Sequence, residues 1–182
     1  MTRAAKQVAG ADGSGTRVLL LGMMGSGKTS VGEEIAGRTG WSYRDNDSLV
    51  GELAGVPTAE LLERDGVDAL RATESAALRR AVDDPGPLVA GVAGGVVEVD
   101  EDLELLRRTD ALVVYLHAPL DVLVERVGDG AGRPFLQPDP ATALQRLYDG
   151  REPLYREVAD VVVDTSTGSP ADHANQVLAA LG

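Results

Sequence analysis

The stretch LLLGMMGSGKTS, residues 19–30, constrains the fold more than any other part of the chain. An apolar run meets a glycine-rich turn and passes directly into a segment where Val31, Ile35 and Ala36 recur at helical spacing, with Glu33, Glu34 and Arg38 free to face outward. A strand that runs through such a turn into a helix is the opening unit of a parallel sheet, because the helix carries the chain back to the edge where the next strand starts. Gly22 is followed by four residues and then Gly27-Lys28-Thr29. That spacing lets backbone N–H groups curl inward around phosphate oxygens at a helix N-terminus. Gly25, Ser26, Gly27, Lys28, Thr29 and Ser30 are therefore candidate contacts to a nucleotide's phosphates, with Lys28 on the terminal ones and the Thr29 hydroxyl on Mg²⁺.

The same alternation continues downstream. Short apolar runs predict strands at 17–22, 88–92, 111–116 and 161–163, with a weaker one at 41–44. Helical patterns follow Lys28 and cover 58–82, 100–108, 120–127, 140–156 and the C-terminus. The expected fold is α/β, a three-layer αβα arrangement around a central, mostly parallel five-stranded sheet. With 182 residues and 43% hydrophobic content, a single domain over 17–182 is expected, behind a disordered leader at 1–16.

Charge and composition exclude several functions. A formal charge of −12 argues against wide contact with a nucleic-acid backbone, so any cationic site must be local. Without cysteine there is no thiol nucleophile, disulfide or Cys-bound zinc. His117 and His173 lie far apart in sequence and are read as structural rather than as a metal pair. No apolar run reaches the roughly 18 residues that cross a bilayer, and the leader lacks a signal peptide's apolar core. A soluble, cytoplasmic protein is expected.

Five further pieces carry chemistry. In WSYRDNDSLV, Asp45 and Asp47 stand one residue apart near the end of a predicted strand. If the strand continues, both point to one side, one toward Mg²⁺ or its waters and the other toward an attacking hydroxyl. Equally, the pair forms an acidic turn in which Asp47 is the N-cap of a helix. In ALRATES, Arg71 and Glu74 are neighbours on a helix. VAGVAGGVV carries Gly94 and Gly95, small enough for a ligand to approach the backbone. Arg126, GDGAG and then RPFL from Arg133 have the make-up of a lid, over about 127–138. GREPLYREVAD sets Arg151 four residues before Tyr155.

In this order, from residue 17 to about 170, the set resembles shikimate kinase, a family with the P-loop kinase fold, a small helical substrate-binding region (here about 46–75) and a lid. The resemblance implies ATP-dependent phosphorylation of the 3-hydroxyl of shikimate, giving shikimate 3-phosphate and ADP, by a monomer using Mg²⁺. It assigns Thr29 and Asp45 to the metal, Lys28, Asp47 and Arg133 to catalysis, and Asp47, Arg71, Gly94, Gly95 and Arg151 to the acceptor, with Arg71 and Arg151 clamping its carboxylate. Arg133 would contact phosphates, and Arg126 and Pro170 would sandwich adenine.

The chain departs from the family pattern at several points. Ala93 replaces the first of three glycines, Leu70 stands before Arg71 where an aromatic is common, and Phe135 follows Arg-Pro where Leu is usual. Gly51 stands where the family has a Glu that pairs with the substrate Arg, so Arg71 is expected to be less firmly held unless Glu52 or Glu74 takes over. A kinase for another hydroxylated acid, such as gluconate, keeps every nucleotide feature; a nucleotide-binding regulatory module would lack transfer activity.

Overall fold

The computed structural model describes residues 15–130, 136 and 138–182. Five strands pair in parallel in the order β2-β3-β1-β4-β5, where β1 is Arg17–Leu21, β2 Ser42–Arg44, β3 Leu88–Gly91, β4 Leu112–His117 and β5 Val161–Asp164. β1 lies at the centre, with Leu20 opposite Gly91 of β3 and Val114 of β4. Successive β1 side chains serve opposite faces. Val18 and Leu20 pack with Val31 and Ile35 of α1 (Lys28–Thr39) and Ala174 and Val177 of α7 (Pro170–Ala179). Leu19 and Leu21 join a larger core on the other face. It takes in Leu70, Ala77 and Leu78 of α3 (Thr58–Val82), Leu106 of α4 (Asp100–Arg108), Leu123 of α5 (Leu120–Val127) and Leu144 and Tyr155 of α6 (Pro140–Val158). Both faces are covered, which is why the strands read as continuous apolar runs rather than alternating ones.

The predicted strands and helices are present with ends shifted by a residue or two. One helix was not predicted: α2, Asn46–Ala54, follows β2 immediately. It changes the reading of the two aspartates. β2 ends at Arg44, so Asp45 and Asp47 do not share a strand face. Nor is Asp47 the N-cap; Asp45 is, with its Oδ1 accepting from the Ser48 N–H at 2.7 Å, while Asp47 sits in the first turn. The long α3 contains Gly66 at φ 83, ψ −178, where its helical path is interrupted.

The expected leader lies outside the described residues except for Gly15 and Thr16. Thr16 is buried, and its carbonyl accepts from the Leu88 N–H at 2.9 Å, extending the β1–β3 pairing toward the N-terminus. No described helix is long and apolar enough to cross a membrane.

Tyr43 of β2 is wedged against α1, where a Cβ on Gly32 would stand 2.2 Å from the tyrosine Cε2. Gly32→Ala therefore overpacks this seam by about 1–3 kcal/mol, which outweighs the up to about 1 kcal/mol that Ala gains over Gly inside a helix. Urea unfolding should show a lower midpoint than wild type. An equal or higher midpoint would mean that the ring yields.

Candidate functional site

The glycine-rich loop leaves β1 at the sheet's centre and turns into α1. Gly22 has φ 144, and a Cβ there would lie 2.6 Å from both the Leu116 carbonyl oxygen and the Ser26 Oγ, so only glycine fits the turn. The Ser26 N–H donates to the Met23 carbonyl at 3.1 Å, tightening the loop. Lys28 folds back over it, its Nζ donating to the carbonyls of Gly22 (2.8 Å) and Met23 (3.1 Å). A cation held by loop carbonyls at a helix N-terminus is placed to meet an anion's oxygens.

Two pockets open on either side of this loop. One, of about 150 Å³, is lined by Lys28, Thr29, Tyr43, Asp45, Asn46, Asp47 and Gly91. The two aspartates thus share a pocket with the Lys28 and Thr29 pair, despite standing in a helix start rather than a strand. Its donor set fits a hard divalent cation such as Mg²⁺, which takes a hydroxyl and one carboxylate and draws its other ligands from phosphate and water. Among the described residues no three His, Cys, Asp or Glu side chains form a protein-only metal cage. His117 instead meets the Tyr148 hydroxyl (3.3 Å), and His173 the Thr167 carbonyl (2.8 Å). Burial pushes the Tyr43 phenol up to about 12, with Asp45 and Glu33 adding to the rise, so the tyrosine is neutral beside the cation pocket at ordinary pH.

The second pocket, of about 250 Å³, brings Gly25, Ser26, Gly27, Ser30, Arg126 and Pro170 together with Thr165 and His173. Arg126 and Pro170, 44 residues apart in the chain, line the same space. The Arg126 guanidinium donates to the carbonyls of Thr165 (2.6 Å) and Gly25 (3.3 Å), which fixes its plane. Thr165, which the sequence reading did not single out, lies within 3.1 Å of the Ser26 carbonyl and 3.0 Å of the His117 carbonyl. Its buried hydroxyl ties the loop to the ends of β4 and β5.

Arg71, Gly94, Gly95 and Arg151 meet beyond β3. A Cβ on Gly95 would stand 1.7 Å from the Arg71 Nη1, and one on Gly94 2.9 Å from the Tyr155 hydroxyl and 3.4 Å from the Arg151 Nη1. The glycine pair is thus the floor on which both guanidiniums rest. Tyr155 donates to the Gly94 carbonyl at 2.7 Å and holds that floor to α6. Ala93 has φ −60 and ψ 137, which any residue adopts, and its methyl is buried in the core, so the missing first glycine costs the turn nothing.

The arginines are neutralised by carboxylates from two elements. Glu74 Oε2 accepts from the Arg71 Nη1 at 3.0 Å. Burial raises the Glu74 carboxyl above its usual range, while Arg71 and Arg151 pull it back and Asp47 pushes it further up. Asp47 is therefore close enough to this cluster to act on its charge. Glu98, at the end of the 3₁₀ turn Gly94–Glu98, places its Oε2 2.7 Å from Arg151 Nη2 and 3.7 Å from Arg71 Nη2. Glu52 does not substitute for the absent carboxylate at position 51, since it pairs with Arg44 and Arg80. Glu98 was not foreseen; an acidic residue three positions past the second glycine was the signal available. Arg133 and the part of the expected lid at 131–135 and 137 lie outside the described residues.

A phosphate-binding loop on the central strand, a cation pocket beside it and a paired guanidinium site at the turn after β3 define a P-loop phosphotransferase for a small anionic molecule. The family model for shikimate kinase matches residues 24–182. Shikimate kinase of Marinomonas sp. (strain MWYL1) is 38% identical over 166 residues, covering 90% of this chain and 91% of its own length. Among solved structures, shikimate kinase from Acinetobacter baumannii in complex with shikimate matches with a TM-score of 0.82 at 31% identity over 90% of each chain. A gluconokinase from Sinorhizobium meliloti 1021 matches with a TM-score of 0.60 at 26% identity over 92% of this chain and 91% of its own. The chain belongs to the shikimate kinase family.

Gly95→Ala tests the glycine floor. The Arg71 guanidinium is the movable partner, so it should be displaced without unfolding, raising the KM for an anionic acceptor roughly 10- to 100-fold and leaving the KM for ATP within about twofold. An unchanged acceptor KM would contradict the contact.

Proposed function

We propose that the chain transfers the γ-phosphoryl group of ATP to the 3-hydroxyl of shikimate, giving shikimate 3-phosphate and ADP. The observation that carries this reading is the convergence of Arg71 and Arg151 on one carboxylate oxygen, above the Gly94–Gly95 backbone that adjoins the phosphate loop at Gly22. Two guanidiniums set this way form a socket for a small ligand's carboxylate, and the socket fixes which hydroxyl faces the nucleotide.

The roles of the residues follow from that orientation. The loop amides and Lys28 hold the β- and γ-phosphates, with Lys28 exchanging its two carbonyl contacts for phosphate oxygens. Thr29 and, through water, Asp45 would hold Mg²⁺, which when bound offsets charge on the phosphate oxygens. Asp47 is assigned to the attacking hydroxyl, a role supported by its sharing a pocket with Lys28 and acting on the charge of Glu74. It accepts a hydrogen bond from the attacking hydroxyl and takes its proton as the new O–P bond forms and the bond to ADP breaks. Arg126 and Pro170 stack on the two faces of adenine, a role supported by their sharing one pocket. Arg133 is assigned to the transferring phosphate on the sequence resemblance alone.

The decisive experiment is ADP release at fixed ATP with shikimate, gluconate or no acceptor. Shikimate-dependent release is expected. Release with gluconate alone would move the acceptor assignment, and acceptor-independent release alone would sink the kinase reading. In the same assay Lys28→Ala should lower kcat by about 100- to 1,000-fold with the unfolding midpoint preserved. Full activity in that variant would remove Lys28 from the phosphate role.

A further inference from the structure

We propose that Glu98 is a resident carboxylate that fills the arginine clamp when no acceptor is bound, and that an acceptor carboxylate enters by displacing it. The proposal deepens the acceptor reading above and rests on it. Glu98 would then be a specificity-determining residue: only a ligand that brings its own negative charge can replace it.

Three observations separate Glu98 from the other carboxylate of the cluster. Its Oε2 lies between the two arginines, 2.7 Å from one guanidinium and 3.7 Å from the other, the position a bound carboxylate would take. Its side chain is 40% exposed, whereas that of Glu74 is 11% exposed. Glu98 also ends a 3₁₀ turn whose backbone is closed by the Val99 N–H donating to the Val96 carbonyl at 3.2 Å. Leaving the clamp therefore asks only a side-chain rotation into water, with no backbone change. Glu74 is enclosed on the inner side of Arg71 and cannot leave by the same route.

Charge balance gives the exchange its direction. Arg151 is 4% exposed, and a guanidinium so buried needs a carboxylate partner at all times. With Glu74 and Glu98 in place, the two arginines face two carboxylates and the cluster is neutral. An acceptor carboxylate added on top would be a third carboxylate, beside Glu98 and Glu74, for two guanidiniums, so coexistence is disfavoured. Exchange preserves neutrality. A polyol without a carboxylate leaves Glu98 in the clamp and finds the socket closed, which discriminates by a built-in competitor rather than by shape.

Glu98→Gln keeps the shape and removes the charge. The shikimate KM should fall roughly tenfold, with the KM for ATP moving far less, since the competing ion pair is gone. A KM that is unchanged or higher would overturn the proposal and make Glu98 a bystander or a support for Arg151. A second readout does not depend on shikimate being the acceptor. Side-chain ¹⁵N NMR of Arg71 and Arg151 in ligand-free protein should shift on Glu98→Gln, and formate should perturb those signals at roughly tenfold lower concentration in the variant. Unaltered signals with equal formate midpoints would overturn the proposal even in an active kinase. A formate shift as expected, in a protein that does not phosphorylate shikimate, would uphold the competitor and reject the acceptor assignment. Glu98→Ala, with the same expected direction, checks that the added amide is not the cause.

Discussion

The parallel pairing of β1 with both β3 and β4 is the constraint on which the rest of the molecule depends. Parallel neighbours start at one edge and finish at the other, so the segments leaving β1, β3 and β4 all emerge on the same side. The phosphate loop follows β1, the glycine floor follows β3, and the start of α5 follows β4, which ends at His117. Donor and acceptor halves of the site are therefore adjacent because their strands are. The glycines at 22, 94 and 95 are what the adjacency demands, for each lies where a side chain would meet a neighbour's carbonyl, hydroxyl or guanidinium.

Within a chain of net charge −12, the site concentrates cations at two points and neutralises them differently. Lys28 is held by backbone carbonyls, dipoles that give way when phosphate oxygens arrive. Arg71 and Arg151 are held by full charges, because a guanidinium as buried as Arg151 cannot be left to dipoles alone. Arginine suits the second task, since its planar fork bonds carboxylates on more than one edge. Arg71 uses Nη1 for Glu74 and turns Nη2 toward Glu98. One edge orients the side chain while the other faces the ligand's place.

What could be read in the sequence was local. The phosphate loop is legible because its spacing is set by one turn, and the strands because burial on both faces makes them uniformly apolar. Arg71 and Glu74 were legible as helix neighbours. α2 was not, for it is a short segment separated from the end of a strand by the single residue Asp45, and the DND stretch serves two geometries equally well until Asp45 is seen accepting from the Ser48 N–H as the cap. Glu98 and Thr165 were not legible either, because their partners lie far away in the chain. Arg151 is 53 residues from Glu98, and Ser26 is 139 from Thr165. No periodicity reports a contact of that kind.

The departures from the family pattern show the same limit from the other direction. Gly51 looked like a loosened clamp, since it removes a carboxylate expected to face Arg71. In the folded chain the need is met from α3 by Glu74 and from the turn after β3 by Glu98, while Glu52, the obvious neighbour in sequence, serves Arg44 and Arg80 instead. Ala93 looked like a narrowed turn, yet its backbone is extended and its methyl points into the core. Both substitutions are absorbed because a buried guanidinium requires a carboxylate in reach, not a carboxylate at a given sequence position. The element that supplies it is free to vary, and that choice decides whether the partner is enclosed like Glu74 or exposed and able to leave like Glu98.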